Sequence, residues 1–287
     1  MNLGQLECPL DPGLANDLSL ILEEEVVSVS WYEAKADNWV LSVLFKEDQE
    51  SLVRERISMF FTENNLPLPK MTGSKLTDKD WVTAVYQGFP PLSIGRFYIY
   101  GMHIQESPPA GLIPLHIEAA TAFGSGQHES TEGCLKALSL LDTQQIFSDP
   151  LDMGCGSGIL AIAMAELWNV PVVACDNDPE AVRVTIENGQ KNGVGHLIQG
   201  GVSEGFAAIS AKKFDIITAN ILAGPLCHMA QDVGRALIPG GCIILSGLLS
   251  RQAEEVIHAY ESVGIKLFSQ IPIGDWSTLI MRKESNG

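Results

Sequence analysis

The segment Asp152–Gly158 (DMGCGSG) sets glycines at 154, 156 and 158 directly before an apolar run that begins at Ile159. Glycines at alternate positions let a backbone turn sharply and admit a ligand that would collide with a Cβ. The loop follows a short strand-like run. In an open α/β sheet such a loop lies at the carboxyl edge of the strands, where ligands bind. Asp176 ends the next strand-like run, VPVVACD, about 20 residues after Gly156, the spacing at which an acid accepts hydrogen bonds from adenosine ribose hydroxyls. The turn and the acid alone fit both hydride transfer from a nicotinamide dinucleotide and methyl transfer from an adenosyl sulfonium. The spacing here is GxGxG rather than GxGxxG, a tighter loop that suits a ligand with no pyrophosphate to seat on the helix N-terminus. Asp152 points the same way, since a carboxylate beside the loop repels pyrophosphate and can hold a cationic amine.

Two further motifs flank this loop. AFGSGQHEST, residues 122–131, is a Gly-rich turn running into a helical stretch, CLKALSLL, with Thr131 placed to reach a cofactor from the helix end. Ser130 and Thr131 equally suit a helix cap. ANILAGP, residues 219–225, follows the fourth strand of the C-terminal part and puts Asn220 at the carboxyl edge. Its amide offers two donors and an acceptor, enough to orient an incoming nitrogen. His128, a lone histidine in a turn, and Trp276, in GDW, are lesser candidates for the acceptor side, each with an ordinary structural role as the alternative.

These residues need a framework, and the hydrophobic pattern supplies one. From about residue 145, strand-like runs (PLDM, VPVVACD, HLIQG, FDIITANI, CIILSG) alternate with helical ones (ILAIAMAELW, PEAVRVTIENGQ, PLCHMAQDVGRAL, SRQAEEVIHAYE), followed by IKLFSQIPI and STLIMRK. Such alternation implies right-handed βαβ crossovers and a mainly parallel sheet. Pro150 sits oddly in the first of these strands, because it denies the ladder a hydrogen bond. Residues 1–70 read as a small α+β unit with β-rich runs (VVSVSWYE, NWVLSVLF) and one helix over Gln49–Phe61, whose Leu52, Val53, Arg56, Ile57 and Phe60 fall near helical spacing. The Pro- and Gly-rich stretch 71–120 reads as a linker and connecting region, and 121–287 as the cofactor domain.

Bulk properties narrow the function. At 287 residues the chain is long enough for two cores. It is 46% hydrophobic and 18% charged, with no apolar window of about 18 residues, so a globular protein with no membrane span is expected. The start, MNLGQLECPLDPG, lacks a signal-peptide pattern, and a cytoplasmic location follows. The six cysteines show no CxxC spacing and imply neither zinc nor a disulfide framework. A net charge of -17 speaks against direct nucleic-acid binding and suits a basic protein partner.

Taken together, AFGSGQHEST, DMGCGSGILAIA, the acid in ACDND, NILAGPL and LSGLL resemble, in order and spacing, the ribosomal protein L11 methyltransferase family over about residues 80–283. The resemblance implies a class I methyltransferase, a Rossmann-like α/β fold with a mainly parallel seven-stranded sheet whose last strand is antiparallel. It also implies a small N-terminal α+β domain that docks the protein substrate through a flexible linker. S-adenosyl-L-methionine is the implied cofactor, with Thr131, Gly154, Asp176 and Asn220 at its site by motif and Asp152, Gly156 and Gly158 from the loop reading. The implied reaction is methylation of lysine side-chain amines, with an N-terminal α-amine as a further acceptor, on ribosomal protein L11. Another protein, such as the β subunit of electron-transfer flavoprotein, is the alternative substrate, and a nicotinamide-dependent oxidoreductase is the alternative class. The chain departs from the family pattern at Ser125, at Ser130 and in IEAATAF, and residues 1–70 carry no matching motif. The expected chemistry is a direct displacement that needs alignment and dryness but no metal, with Asn220 as the catalytic residue.

Overall fold

The computed structural model describes the chain except residues 1–2, 15–17, 19–20, 23–25, 36–37, 65, 77–90, 102–103, 105–106, 118–128 and 286–287. It divides into two compact units, Met1–Gly88 and Phe89–Gly287.

The first unit is a four-stranded antiparallel sheet with a helix. Its strands are β1 (Leu3–Pro9), β2 (Ser28–Lys35), β3 (Asn38–Lys46) and β4 (Thr72–Leu76), in the order β2-β3-β1-β4. Alternate residues Leu6 and Cys8 of β1 and Leu41, Val43 and Phe45 of β3 are buried on one face, as the period of two requires. The helix α1 (Glu50–Glu63) adds Val53, Ile57, Phe60 and Phe61 to the same core. Leu52, expected on the apolar stripe, is instead 38% exposed.

The second unit carries the expected doubly wound sheet. Its strands are β8 (Pro150–Met153), β9 (Val172–Asp176), β10 (Ile198–Val202), β11 (Phe214–Asn220), β12 (Leu237–Leu249), β13 (Ile265–Ile273) and β14 (Trp276–Lys283). They run in the order β10-β9-β8-β11-β12-β14-β13. The first five pair in parallel, and β14 is antiparallel to both β12 and β13. The order in which the chain adds strands reverses between β8 and β11, with β9 and β10 laid to one side and β11 and β12 to the other, which makes the carboxyl edge there the natural crevice for a ligand. Neighbouring residues of each central strand face opposite layers. Ile216, Cys242 and Ile244 pack on one side with α2 (Glu129–Asp142) and α3 (Ile159–Trp168). On the other side Ile217, Ile243 and Leu245 pack with α5 (Ala223–Ala236) and α6 (Ala253–Glu261). The remaining helix, α4 (Pro179–Lys191), joins β9 to β10 and begins at an Asp178 cap that accepts from the Glu180 amide.

Within the stretch 71–120, expected to be a connecting region, the described residues include strands of both units. β4 pairs with β1 inside the first unit. β5 (Leu92–Ile94), β6 (Phe97–Tyr100) and β7 (Ile113–His116) form a three-stranded sheet in the second. Ile94, Phe97, Ile99 and Leu115 belong to the core that includes Leu135 and Leu138 of α2. Asn192 ties this sheet to the end of α4, accepting from the His116 amide at 2.7 Å and donating to the His116 carbonyl at 2.7 Å. Gly95 and Gly111, at φ 55° and 87°, lie between these short strands; Gly111 ends the run ESPPAG, while residues 88–90 of GFPP lie outside the described residues.

Pro150 also finds its reason. It is the first residue of β8 and faces Ile216 of β11, whereas the pairing of β8 with β9 begins only at Leu151. A proline is tolerated at a strand's first position. Just before it, the Asp215 carboxylate accepts from the amides of Ser148 (2.6 Å) and Asp149 (3.0 Å), replacing ladder bonds with side-chain ones. Among the described residues no helix is long and apolar enough to cross a membrane.

Candidate active site

The turn after β8 is built from its glycines. Gly154, Gly156 and Gly158 all take positive φ, at 74°, 52° and 81°, a region that side chains with a Cβ disfavour. The amides of Gly154 and Cys155 both donate to the Cys175 carbonyl, at 2.7 and 3.1 Å, which lashes the loop to the end of β9. A Cβ on Gly154 would lie 2.5 Å from Ile221 Cγ2, so only glycine lets the loop pass beneath the NIL segment. Thr185 of α4 holds the far side, donating to the Gly156 carbonyl at 3.1 Å.

Asp176 sits at the tip of β9, half-buried. One oxygen accepts from the Gly156 amide and the other from the Asp178 amide, each at 3.0 Å. An ionised carboxylate offers about four lone-pair sites. Two therefore remain for hydroxyls of a ligand, and the carboxylate's orientation is fixed in advance.

Asn220 ends β11, the strand on the opposite flank of β8. Its Nδ2 donates to Thr131 Oγ1 at 3.2 Å, while Oδ1 is buried and, among the described residues, has no hydrogen-bond partner. An unpartnered buried acceptor costs about 1–3 kcal/mol, and this one belongs to a residue on the cleft wall, where it is available to a ligand. Thr131 is brought here by α2, whose first turn is anchored to the sheet. Ser246 Oγ donates to the Ser130 carbonyl at 3.0 Å and lies 2.7 Å from Thr278 Oγ1.

A cleft of roughly 650 Å³ opens between these groups, within the range of small-molecule sites. Of the residues expected there, Thr131, Gly154, Gly156, Asp176 and Asn220 line it. Asp152 and Gly158 are not among its lining residues. Asp152 is 1% exposed and is turned away from the ligand face, accepting from Thr218 Oγ1 at 2.7 Å and from the Ala161 amide at 3.1 Å. It braces the loop from behind instead of meeting an amine directly. Gly158 is structural: a Cβ there would come 2.9 Å from Thr185 Cα. His128 and the turn over 122–128 lie outside the described residues. Trp276 opens β14, opposite Leu249 and Ile273, and does not line the cleft.

Sequence reasoning passed over two groups of lining residues. Ser203, Glu204 and Gly205 follow β10, at the same strand edge that pointed to Asp176. Pro225, His228, Met229 and Asp232 line the cleft from α5. Their offsets of three and four are one face of a helix, so the signal was present in PLCHMAQDVGRAL. A histidine does line the cleft, then, and it is His228.

Burial governs the ionisable groups behind the walls. Asp152 is pushed up from 3.8 to about 7, first by desolvation and against the help of Thr218 and the Ala161 amide. The same loss of water drives the Cys134 and Cys155 thiols well above their ordinary range, so both stay protonated. All six cysteines are unpaired.

The family model for ribosomal protein L11 methyltransferase (PrmA) matches residues 11–284. The ribosomal protein L11 methyltransferase of Rhizobium etli is 36% identical over 260 residues, covering 90% of this chain and 89% of the relative. That of Bradyrhizobium diazoefficiens is 43% identical over 208 residues, 71% of this chain and 70% of the relative. The crystal structure of ribosomal protein L11 methylase from Lactobacillus delbrueckii subsp. bulgaricus superimposes with a TM-score of 0.61 at 24% identity, covering 68% of this chain and 100% of that one, a likeness of fold.

Proposed function

The chain belongs to the ribosomal protein L11 methyltransferase family, and on that premise we propose that it methylates lysine side-chain amines of ribosomal protein L11, with S-adenosyl-L-methionine as donor. When bound, the donor supplies a methyl carbon on a positively charged sulfur, open to attack by a neutral nitrogen. The groups that fit it are the positive-φ glycine turn, whose Gly154 and Gly156 line the cleft, and the free lone pairs of Asp176, which suit ribose hydroxyls.

The observation that carries the proposal is the Asn220 amide, fixed through Nδ2 by Thr131 while Oδ1 stays buried and unspent. Oδ1 can accept one N–H of an incoming amine and so aim the nitrogen lone pair at the methyl carbon. Holding the reacting atoms in line is where most of the acceleration of such a displacement is found. A lysine has a pKa of about 10.4 in water and must enter the reaction neutral. Ile221, Leu222 and Met229 line the cleft, and an apolar wall raises the cost of keeping the ammonium charged. The net charge of -17 favours encounter with a basic protein, and docking of that protein is assigned to the N-terminal unit.

The test is incubation of the protein and labelled donor with purified ribosomal protein L11 and, separately, with a lysate of its own cells. Label on lysines of L11 is the expected result. Label confined to another protein would keep the chemistry and overturn the substrate, and no transfer to any protein would overturn both.

A further inference from the structure

The Asp152 carboxylate is enclosed directly behind the cleft, and residues next to it in three different elements line that cleft. Met153 follows it in β8. Asn220 lies two residues beyond its partner Thr218 in β11, and Leu160 precedes its partner Ala161 in α3. No lysine, arginine or histidine acts on it among the described residues. Its charged neighbour is another acid, Asp176, and the thiols of Cys134, Cys155 and Cys175 are also close enough to interact. A buried anion without a counter-charge is costly, and two hydrogen bonds meet only part of that cost. Capping the Ala161 amide does not need a charge, since a neutral amide oxygen would serve.

We propose that Asp152 is the counter-charge by which this cleft prefers a cationic sulfonium donor over the neutral thioether that remains after transfer, a positioning residue acting through the loop wall. The proposal rests on the assignment of S-adenosyl-L-methionine as donor. A single charge separates donor from product, so a fixed anion in a low-dielectric wall attracts one and is indifferent to the other. Once the methyl group has left, the attraction is gone and product release is favoured. Because burial raises the proton affinity of this carboxyl to about 7, the preference is full above that pH and fades below it, where donor binding must first expel a proton.

The test is isothermal titration of wild type and Asp152→Asn with S-adenosylmethionine and S-adenosylhomocysteine from pH 6 to 8.5. The asparagine oxygen can still accept from the Ala161 amide, and its NH2 can donate to Thr218 Oγ1 once that hydroxyl turns to the Leu151 carbonyl, 3.4 Å away, so the contacts are kept with one bond reversed and the charge removed. Wild type should favour the donor on the order of tenfold more at pH 8.5 than at pH 6, with proton release on donor binding seen as a buffer-dependent enthalpy. Asp152→Asn should lose that extra preference and bind the thioether within about twofold of wild type. Titration of the ligand's own amine is common to both proteins and cancels. Thr218→Val keeps the carboxyl and removes its hydroxyl donor, so the loss of preference should begin at higher pH, which preserves the test if the asparagine variant misfolds. An unchanged donor-to-thioether ratio and pH slope in Asp152→Asn, or an unmoved transition in Thr218→Val, overturns the proposal. Failure of wild type to bind either compound would overturn instead the donor assignment on which it rests.

Discussion

The two flanks of the cleft are finished to different degrees. On the β9 side the groups are already held in place: the Gly154 and Cys155 amides are bound to Cys175, and Asp176 is oriented by two amides with its other lone pairs left open. On the β11 side Asn220 has one fixed end and one buried acceptor left open, with Leu222, 69% exposed, beside it at the rim. The first flank is a rigid mould, suited to a ligand that binds the same way every turnover. The second keeps an unspent hydrogen bond, which is worth most when it is made only as the transition state is approached. Binding and turnover should therefore separate when the flanks are altered one at a time.

The largest effect is expected at Asn220. Asn220→Ala removes the aiming acceptor and should lower kcat on the order of 10²–10³-fold, while donor affinity, measured by calorimetry, weakens but stays measurable. Equal losses in binding and turnover would erase the distinction between the flanks. Asp176→Ala is the counterpart on the other side. Losing hydrogen bonds to a charged acceptor should raise the donor Kd by roughly 10- to 100-fold, with kcat at saturating donor changed far less. An unchanged titration would remove Asp176 from the cofactor flank.

The smallest effect is on stability and concerns the residue behind both flanks. The carboxyl of Asp152 is raised from 3.8 to about 7 in the folded protein. The folded state therefore binds this proton more tightly than the unfolded state. Stability gains from it as pH falls through 7 towards 4, and loses that gain as pH rises through 7. Relative to wild type, Asp152→Asn should melt a few degrees higher at pH 8, and the gap should narrow steadily below pH 7 and close only near pH 4, as read by thermal denaturation without ligand. A gap that widens towards acid pH would mean that the carboxylate stabilises the loop in its charged form.

Much of this was legible in the sequence because the relevant forces act locally. Glycines at 154, 156 and 158 admit a positive-φ turn wherever they stand, and alternating periods of hydrophobicity fix a parallel sheet whose strand ends carry Asp176 and Asn220. The order of motifs was sufficient to indicate the family. What lies beyond it depended on which side of a strand or helix a residue faces. Asp152 and Gly154 are two positions apart, yet one is closed in against Thr218 and Ala161 while the other meets the cleft. His228, Met229 and Asp232 reach the site only because α5 packs with one face towards it. β5, β6 and β7 lie in a stretch that looks like loop by composition, since strands of three and four residues carry too few positions to show a period. They become a sheet by packing on α2. The sequence alone determined the turn, the layers and the cofactor class, since those follow from backbone freedom and apolar spacing. Only the tertiary structure decided which carboxylate lines the cleft and which is closed in behind it, because burial and hydrogen-bond partners come from elements distant in the chain.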